Sequence, residues 1–112
     1  MDQRVQAIIS NIKDDLRHVP SLDDLAASVN LSSSRLRHLF KSETQETLAR
    51  YIKRLRMQVA VELLATTFLN VKEVMGRVGL RNESHFTQDF KRAYGVTPAQ
   101  YRAQRLNRHS DV

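Results

Sequence analysis

No cysteine occurs in the chain, so neither a disulfide nor a Cys-ligated zinc can staple the fold, and stability has to come from packing. Three glycines and two prolines are few interruptions, and no stretch shows the strict polar/apolar alternation of a half-buried strand. No apolar run reaches membrane-spanning length, because Glu62 breaks the most apolar stretch. Residues 1–15 mix charges throughout, unlike a secretion signal. The cytoplasm is therefore the expected compartment. His18, His38, His85 and His109 are too dispersed for a local ligand pair, and most carboxylates fall at helix starts or on polar faces. Enzymatic chemistry, a metal and a cofactor are accordingly not expected. With 112 residues the chain makes one domain or two very small ones, and it buries a core only if its helices share apolar faces.

What the chain does have is basic charge and a repeat. Its formal net charge is +6, from 18 basic and 12 acidic residues, which favours a polyanionic partner. Thirteen of the basic residues are arginine, whose planar fork suits phosphates and guanine edges. Residues 22–41 read LDDLAASVNLSSSRLRHLFK and residues 71–91 read VKEVMGRVGLRNESHFTQDFK, an offset of 49 residues that becomes 50 after one extra residue in the second turn. Each copy has the form of a helix-turn-helix, a common device for entering the DNA major groove.

The apolar period predicts an all-α fold of seven helices: two helix-turn-helix, homeodomain-like units joined by a long central helix. Val5, Ile8, Ile9, Ile12 and Leu16 form one stripe, predicting a first helix over about 3–17 that ends at His18-Val19-Pro20. Ser21 caps the second helix, with Asp23 and Asp24 in its first turn and Leu22, Leu25, Ala26 and Val29 inward; Asn30 sits where a left-handed backbone is wanted. Ser32 or Ser33 caps the third, with Leu36, Leu39 and Phe40 inward. Thr47 opens the long helix, about 47–66, with arginines and Lys53 in its first half. Asn70 and Glu73 spell a capping box before the fifth helix, which buries Val71, Val74, Met75 and Val78 and stops at Gly79. Asn82 caps the sixth, with Phe86, Phe90 and Ala93 inward and Gly95 as its stop. Thr97, Pro98 and Gln100 start a short seventh helix. The expected organisation is a first unit over 1–50, a linker helix over 47–66, a second unit over 67–108 and a frayed tail at 109–112.

The residues free to read bases lie opposite each buried stripe. In the third helix these are Ser34, Arg37 and His38, with Arg35 beside them; in the sixth they are Ser84, Thr87 and Gln88, with His85 and Glu83 beside them. Arg37 can grip guanine O6 and N7, and His38 can offer a donor. Gln88 can pair with adenine, and Thr87 can set its methyl against that of thymine. Glu83 can accept from cytosine N4, but its first-turn position equally suits a helix-end carboxylate. Ser32, Ser33, Arg81 and Asn82, at the turns and helix starts, together with Lys41 and Lys91, which close the two faces, are candidate phosphate contacts. For the short polar residues among them, capping is the safer assignment.

A linker helix of twenty residues at ~1.5 Å each is a rod of roughly 30 Å, near the ~34–36 Å between successive major grooves on one face of B-DNA. One chain would then do what a dimer does, on an asymmetric site. The competing reading is a basic helical protein-interaction module that binds an acidic partner. RNA is disfavoured, because the aromatic residues fall away from both reading faces and cannot stack on unpaired bases.

The segment VMGRVGLRNESHFTQDFKRAYGVTPAQYR, residues 74–102, resembles the signature of the AraC/XylS family of bacterial transcription regulators, which runs roughly I-A-x-x-V-G-F, S-x-F-x-R-x-F-K, G-x-T-P and Y-R. Tyr51-Ile52, Leu55-Arg56, Ala60 and Leu63-Leu64 in the long helix match it too, and the likeness covers about residues 20–103. It implies a seven-helix domain that binds promoter double-stranded DNA in adjacent major grooves and regulates transcription, here expected as an activator contacting RNA polymerase. In many members a fused domain senses an effector or dimerises. Asn30 and Gln45 stand where the pattern has glycines, Met75 replaces a small alanine, Leu80 a phenylalanine and Gln88 a common arginine.

Overall fold

The structure, a computed structural model, describes residues 1–110, with side chains through Arg105. Seven α-helices account for almost all of it: α1 (Gln3–Asp14), α2 (Leu22–Ser28), α3 (Ser33–Thr44), α4 (Leu48–Thr66), α5 (Val71–Val78), α6 (Glu83–Tyr94) and α7 (Pro98–Ser110), with a 3-10 turn at Leu16–His18. Among the described residues there is no strand. Of the tail expected to fray, residues 109 and 110 belong to α7, and 111 and 112 lie outside the described residues.

The expected first helix is two pieces. Asp15 ends α1 and caps the 3-10 turn, accepting from the Arg17 amide at 3.1 Å. A short polar side chain that bonds the backbone two residues on offers an alternative to another α-helical turn, and here it prevails. The other expected caps form as read. Ser21 accepts from the Asp24 amide, Ser32 from Arg35, Thr47 from Arg50 and Asn82 from His85. Both arms of two capping boxes close, Asn70 with Glu73 and Thr97 with Gln100. The end of α4 has no glycine. Instead the Thr66 and Thr67 hydroxyls donate to the Glu62 and Leu63 carbonyls, the Thr67 amide also bonds the Leu63 carbonyl, and Arg102 donates to the Leu64 carbonyl, which would otherwise be orphaned in the last turn.

The chain divides into two compact units, one ending at Leu55 and the other beginning at Arg56, so the division falls inside α4. In the first unit Val5, Ile8 and Ile12 of α1, Leu25 and Ala26 of α2, Leu36 and Phe40 of α3, and Leu48 of α4 form a core. In the second, Ala60 and Leu64 of α4 pack with Val74, Met75, Val78, Phe86 and Phe90. The long helix thus gives its first half to one core and its second half to the other. Ile9, Leu16, Leu22, Val29 and Leu39 are only partly buried, at the margins of the first core.

The inward placement expected for Ala93 is wrong, for the residue is exposed. At the end of α6 the packing follows aromatic rings, from Phe90 to Tyr94 (4.8 Å between centroids) and Tyr101 (5.6 Å), and leaves Ala93 on the outside.

Candidate nucleic-acid interface

In each unit the helix that carries the candidate reading face runs from a capped start to a left-handed stop. The turn before α3 needs a positive φ, which Asn30 supplies at 60°; the equivalent turn before α6 uses Gly79 at 81°. After the turn the Leu31 amide returns to the Ala26 carbonyl, and the Leu80 amide returns to that of Met75, both at 2.9 Å. The bulkier Met75 is accommodated within the second core, 4% exposed, with this turn bond intact. The helices end at Gln45 (φ 63°) and Gly95 (φ 80°), whose amides bond the Lys41 and Lys91 carbonyls at 2.8 Å. Burial of Leu36 and Phe40, and of Phe86 and Phe90, fixes which sides of α3 and α6 face outward.

On α3, Ser34, Arg35, Arg37, His38 and Lys41 are all exposed. Ser34, Arg37, His38 and Lys41 share one wall of a groove, and Arg35 and His38 line a smaller one on the neighbouring side of the helix. On α6, Glu83, Ser84, His85, Gln88 and Lys91 are exposed, while Thr87 is half-buried. The full exposure expected of Thr87 is therefore wrong; its position lies next to the buried face set by Phe86 and Phe90. Glu83 is the first residue of α6, where a carboxylate meets the positive end of the helix dipole.

Among the candidate phosphate contacts, Ser32 and Asn82 are committed as caps through their side-chain oxygens. The Ser33 hydroxyl donates to the Asp23 carboxylate on α2, which ties the two helices of the first unit together. Lys41, Arg81 and Lys91 are exposed. Arg81 has a cationic neighbour: burial, and secondarily Arg81 itself, pushes the Arg56 guanidinium below its usual value.

Several residues around these faces were not anticipated from sequence. Ser42 lines the smaller groove with Arg4 of α1, and Thr47, Ala49 and Ile52 of α4 line the larger one. Ser42 follows His38 by one helical turn, so spacing could have found it. Arg4, Ala49 and Ile52 reach these grooves from other helices, where no local pattern marks them. Among the described residues no cluster of three or more metal-binding side chains occurs, and no helix is long and apolar enough to cross a membrane.

Comparison with known proteins bears on this arrangement. The helix-turn-helix domain family matches residues 25–104. The HTH-type transcriptional regulator AlkR of Acinetobacter baylyi is 36% identical over 84 residues, covering 75% of this chain and 28% of that protein. MtrA of Neisseria gonorrhoeae, another HTH-type transcriptional regulator, is 33% identical over 103 residues, 92% of this chain and 34% of its own length. The chain thus spans only about a third of these relatives. Among solved structures, the DNA-binding domain of the global transcriptional factor AdpA, in complex with a target DNA, superposes with a TM-score of 0.86 at 27% identity, over 97% of this chain and 98% of that one. The C-terminal domain of AraT, a response regulator from Geobacillus stearothermophilus, gives 0.82 at 30% identity, over 93% and 87%. With the family match running from α2 through α7 and two capped, outward-facing reading helices in place, this chain belongs to the AraC-type helix-turn-helix family of DNA-binding transcription regulators.

Proposed function

We propose that the chain reads one asymmetric promoter site, with α3 in one major groove and α6 in the next. The observation that carries this reading is the pairing of like scaffolds with unlike faces: Ser34, Arg37 and His38 on α3 against Ser84, Thr87 and Gln88 on α6. The length of α4 supports it, since nineteen residues at ~1.5 Å each give roughly 28 Å. That falls slightly short of the ~34–36 Å groove repeat, so the DNA bends to meet both helices, at a deformation cost of order 1–6 kcal/mol.

Arg37 takes guanine and Gln88 takes adenine, each by two hydrogen bonds. His38 donates to a base acceptor or a phosphate, and the Thr87 methyl meets a thymine methyl where that half-buried side chain still shows. Arg35 and His85 flank the faces and reach bases or backbone. Lys41, Lys91 and Arg81 hold phosphates; Ser32, Ser33 and Asn82 approach the backbone while keeping their structural bonds. In the cell the protein acts as an activator in the cytoplasm, with RNA polymerase as its protein partner. Where the full protein carries an effector-sensing or dimerisation domain, that domain governs when this part binds.

Selection of bound sites from random DNA, followed by footprinting, tests the reading. Two unlike half-sites about one helical turn apart are expected. A footprint confined to one half-site, or a requirement for a perfect palindrome, overturns it. The rival reading, a basic module on an acidic protein, separates by salt: DNA binding weakens log-linearly and keeps a sequence-specific component.

A further inference from the structure

The larger groove of the first unit has a hydrocarbon floor and a cationic rim. It is a half-open groove of about 700 Å³, a volume inside the ~300–1,000 Å³ range of small-molecule sites. Leu22 and Leu25 of α2 and Leu48, Ala49 and Ile52 of α4 supply the floor, and Arg37, His38 and Lys41 stand along the rim. None of the described residues lining it is acidic. Thr47 lies at the amino end of α4, where the helix dipole adds to the positive rim.

A DNA strand satisfies only half of this surface. Its phosphates suit Arg37 and Lys41, but a polyanion does little to dehydrate a leucine and isoleucine floor. A molecule with one anionic head and an apolar body satisfies both halves. The head pairs with the Arg37 fork, which binds carboxylates through two parallel hydrogen bonds, while the body covers Leu22, Ala49 and Ile52.

We propose that this groove binds a small amphipathic organic anion, a carboxylate on an apolar body, and that this ligand and DNA exclude each other at the first unit. The ligand site stands on the groove alone. The exclusion rests on the DNA-reading role of Arg37, because one guanidinium cannot hold a carboxylate and a guanine at once. By linkage, each ligand lowers the affinity for the other by the same factor.

The test uses the full chain, decanoate below its micellar concentration, and amide resonances read by heteronuclear NMR. Saturable shifts are expected at Leu22, Ala49 and Ile52. Acetate, which lacks the body, and decanol, which lacks the charge, are each expected to bind at least ~10-fold more weakly. Ala49→Phe, at an exposed helical position, fills the groove and is expected to weaken decanoate by a similar factor while the second unit's spectrum stays unchanged. Decanol binding as tightly as decanoate overturns the site, and so do decanoate shifts spread equally over the second unit. If Ala49→Phe fails to fold, the comparison of decanoate with decanol on the unmodified chain still decides. For the exclusion, decanoate is expected to weaken binding to the selected DNA site, and that DNA to weaken decanoate equally. Unchanged DNA affinity at saturating decanoate overturns the exclusion. A chain that binds decanoate but no DNA refutes the reading role of Arg37 and leaves the groove standing.

Discussion

In the first unit Phe40 meets Tyr51 edge-on, with ring centroids 5.4 Å apart and planes at 69°; in the second, Phe90 meets Tyr101 at 5.6 Å and 72°. An arginine lies 5.3 Å from each tyrosine ring centre, Arg54 in one and Arg105 in the other. Thr47 caps the helix that carries Tyr51, as Thr97 caps the helix that carries Tyr101. The repeat therefore extends past the two helix-turn-helix segments into a third helix, and α7 is to the second unit what the start of α4 is to the first. The units keep apolar residues at matched core positions, though of different size at Ala26 against Met75 and Leu36 against Phe86, and they change chemistry on the reading faces, at the left-handed stops and in one ion pair. Packing preserves a scaffold because cavities and overfilling are both costly, while an outward face is free to change its chemistry.

The largest expected effect comes from the matched cores. Phe40→Ala and Phe90→Ala should each destabilise by about 3–5 kcal/mol. Hydrogen exchange should show the loss concentrated in α1–α3 for the first and in α5–α7 for the second. Equal loss of protection throughout the chain after either change would mean that the two cores behave as one.

The reading faces come next. Arg37→Ala should cost ~1–3 kcal/mol of binding and relax preference at one base position, whereas Arg81→Ala should weaken all sequences alike and lower the salt slope by about 1. Binding-site selection with each variant measures both. An unchanged preferred sequence after Arg37→Ala would remove the first unit's assignment.

Smaller effects are expected at the stops. Gly95→Ala puts a Cβ on a backbone at φ 80° and should cost about 1–2 kcal/mol. Gln45→Gly, at the matching stop, relieves the same strain but loosens the unfolded chain, for a net gain under about 1 kcal/mol. Thermal unfolding reads both, and a loss of stability with Gln45→Gly would show that the Gln45 side chain, which donates to the Ser42 carbonyl at 3.0 Å, outweighs the strain.

The smallest effect separates the units by pH. Glu46 pairs with Arg54 at 3.0 Å, and the hydrogen bonds from that guanidinium hold its carboxyl below the usual value. The equivalent positions in the second unit are Val96 and Gln104, which cannot form the pair. A carboxylate with a depressed folded pKa contributes stability that is present in full above its unfolded pKa and is lost as pH falls through the folded value. The first unit should therefore weaken on acidification through the carboxylate range, and Glu46→Gln should flatten that part of its dependence. Exchange rates in α1–α3, with α5–α7 as the internal control, check the sign.

Most of the architecture was legible in the chain because it is written locally. Helical periods, capping residues, the Asn70 and Thr97 boxes and the left-handed stops at Asn30, Gly79 and Gly95 each depend on neighbours within a few residues. The two helix-turn-helix segments followed from the repeat, and the outward sides of α3 and α6 from the spacing of Leu36 with Phe40 and of Phe86 with Phe90. Where local competition was close, as at Asp15, the boundary was missed.

Tertiary structure alone decided which polar groups remain available and what surrounds them. Ser33 is engaged because α2 brings Asp23 to it from ten residues away. Thr87 is half-buried and Ala93 exposed because packing sets the rotation of α6 more finely than its period does. The groove beside Arg37 exists because Leu22, Ala49 and Ile52 converge from separate helices. Backbone hydrogen bonding and capping act over one or two turns, so a linear sequence records them. Side-chain environment is a sum over contacts distant in the chain, and it takes a value only once the helices have packed.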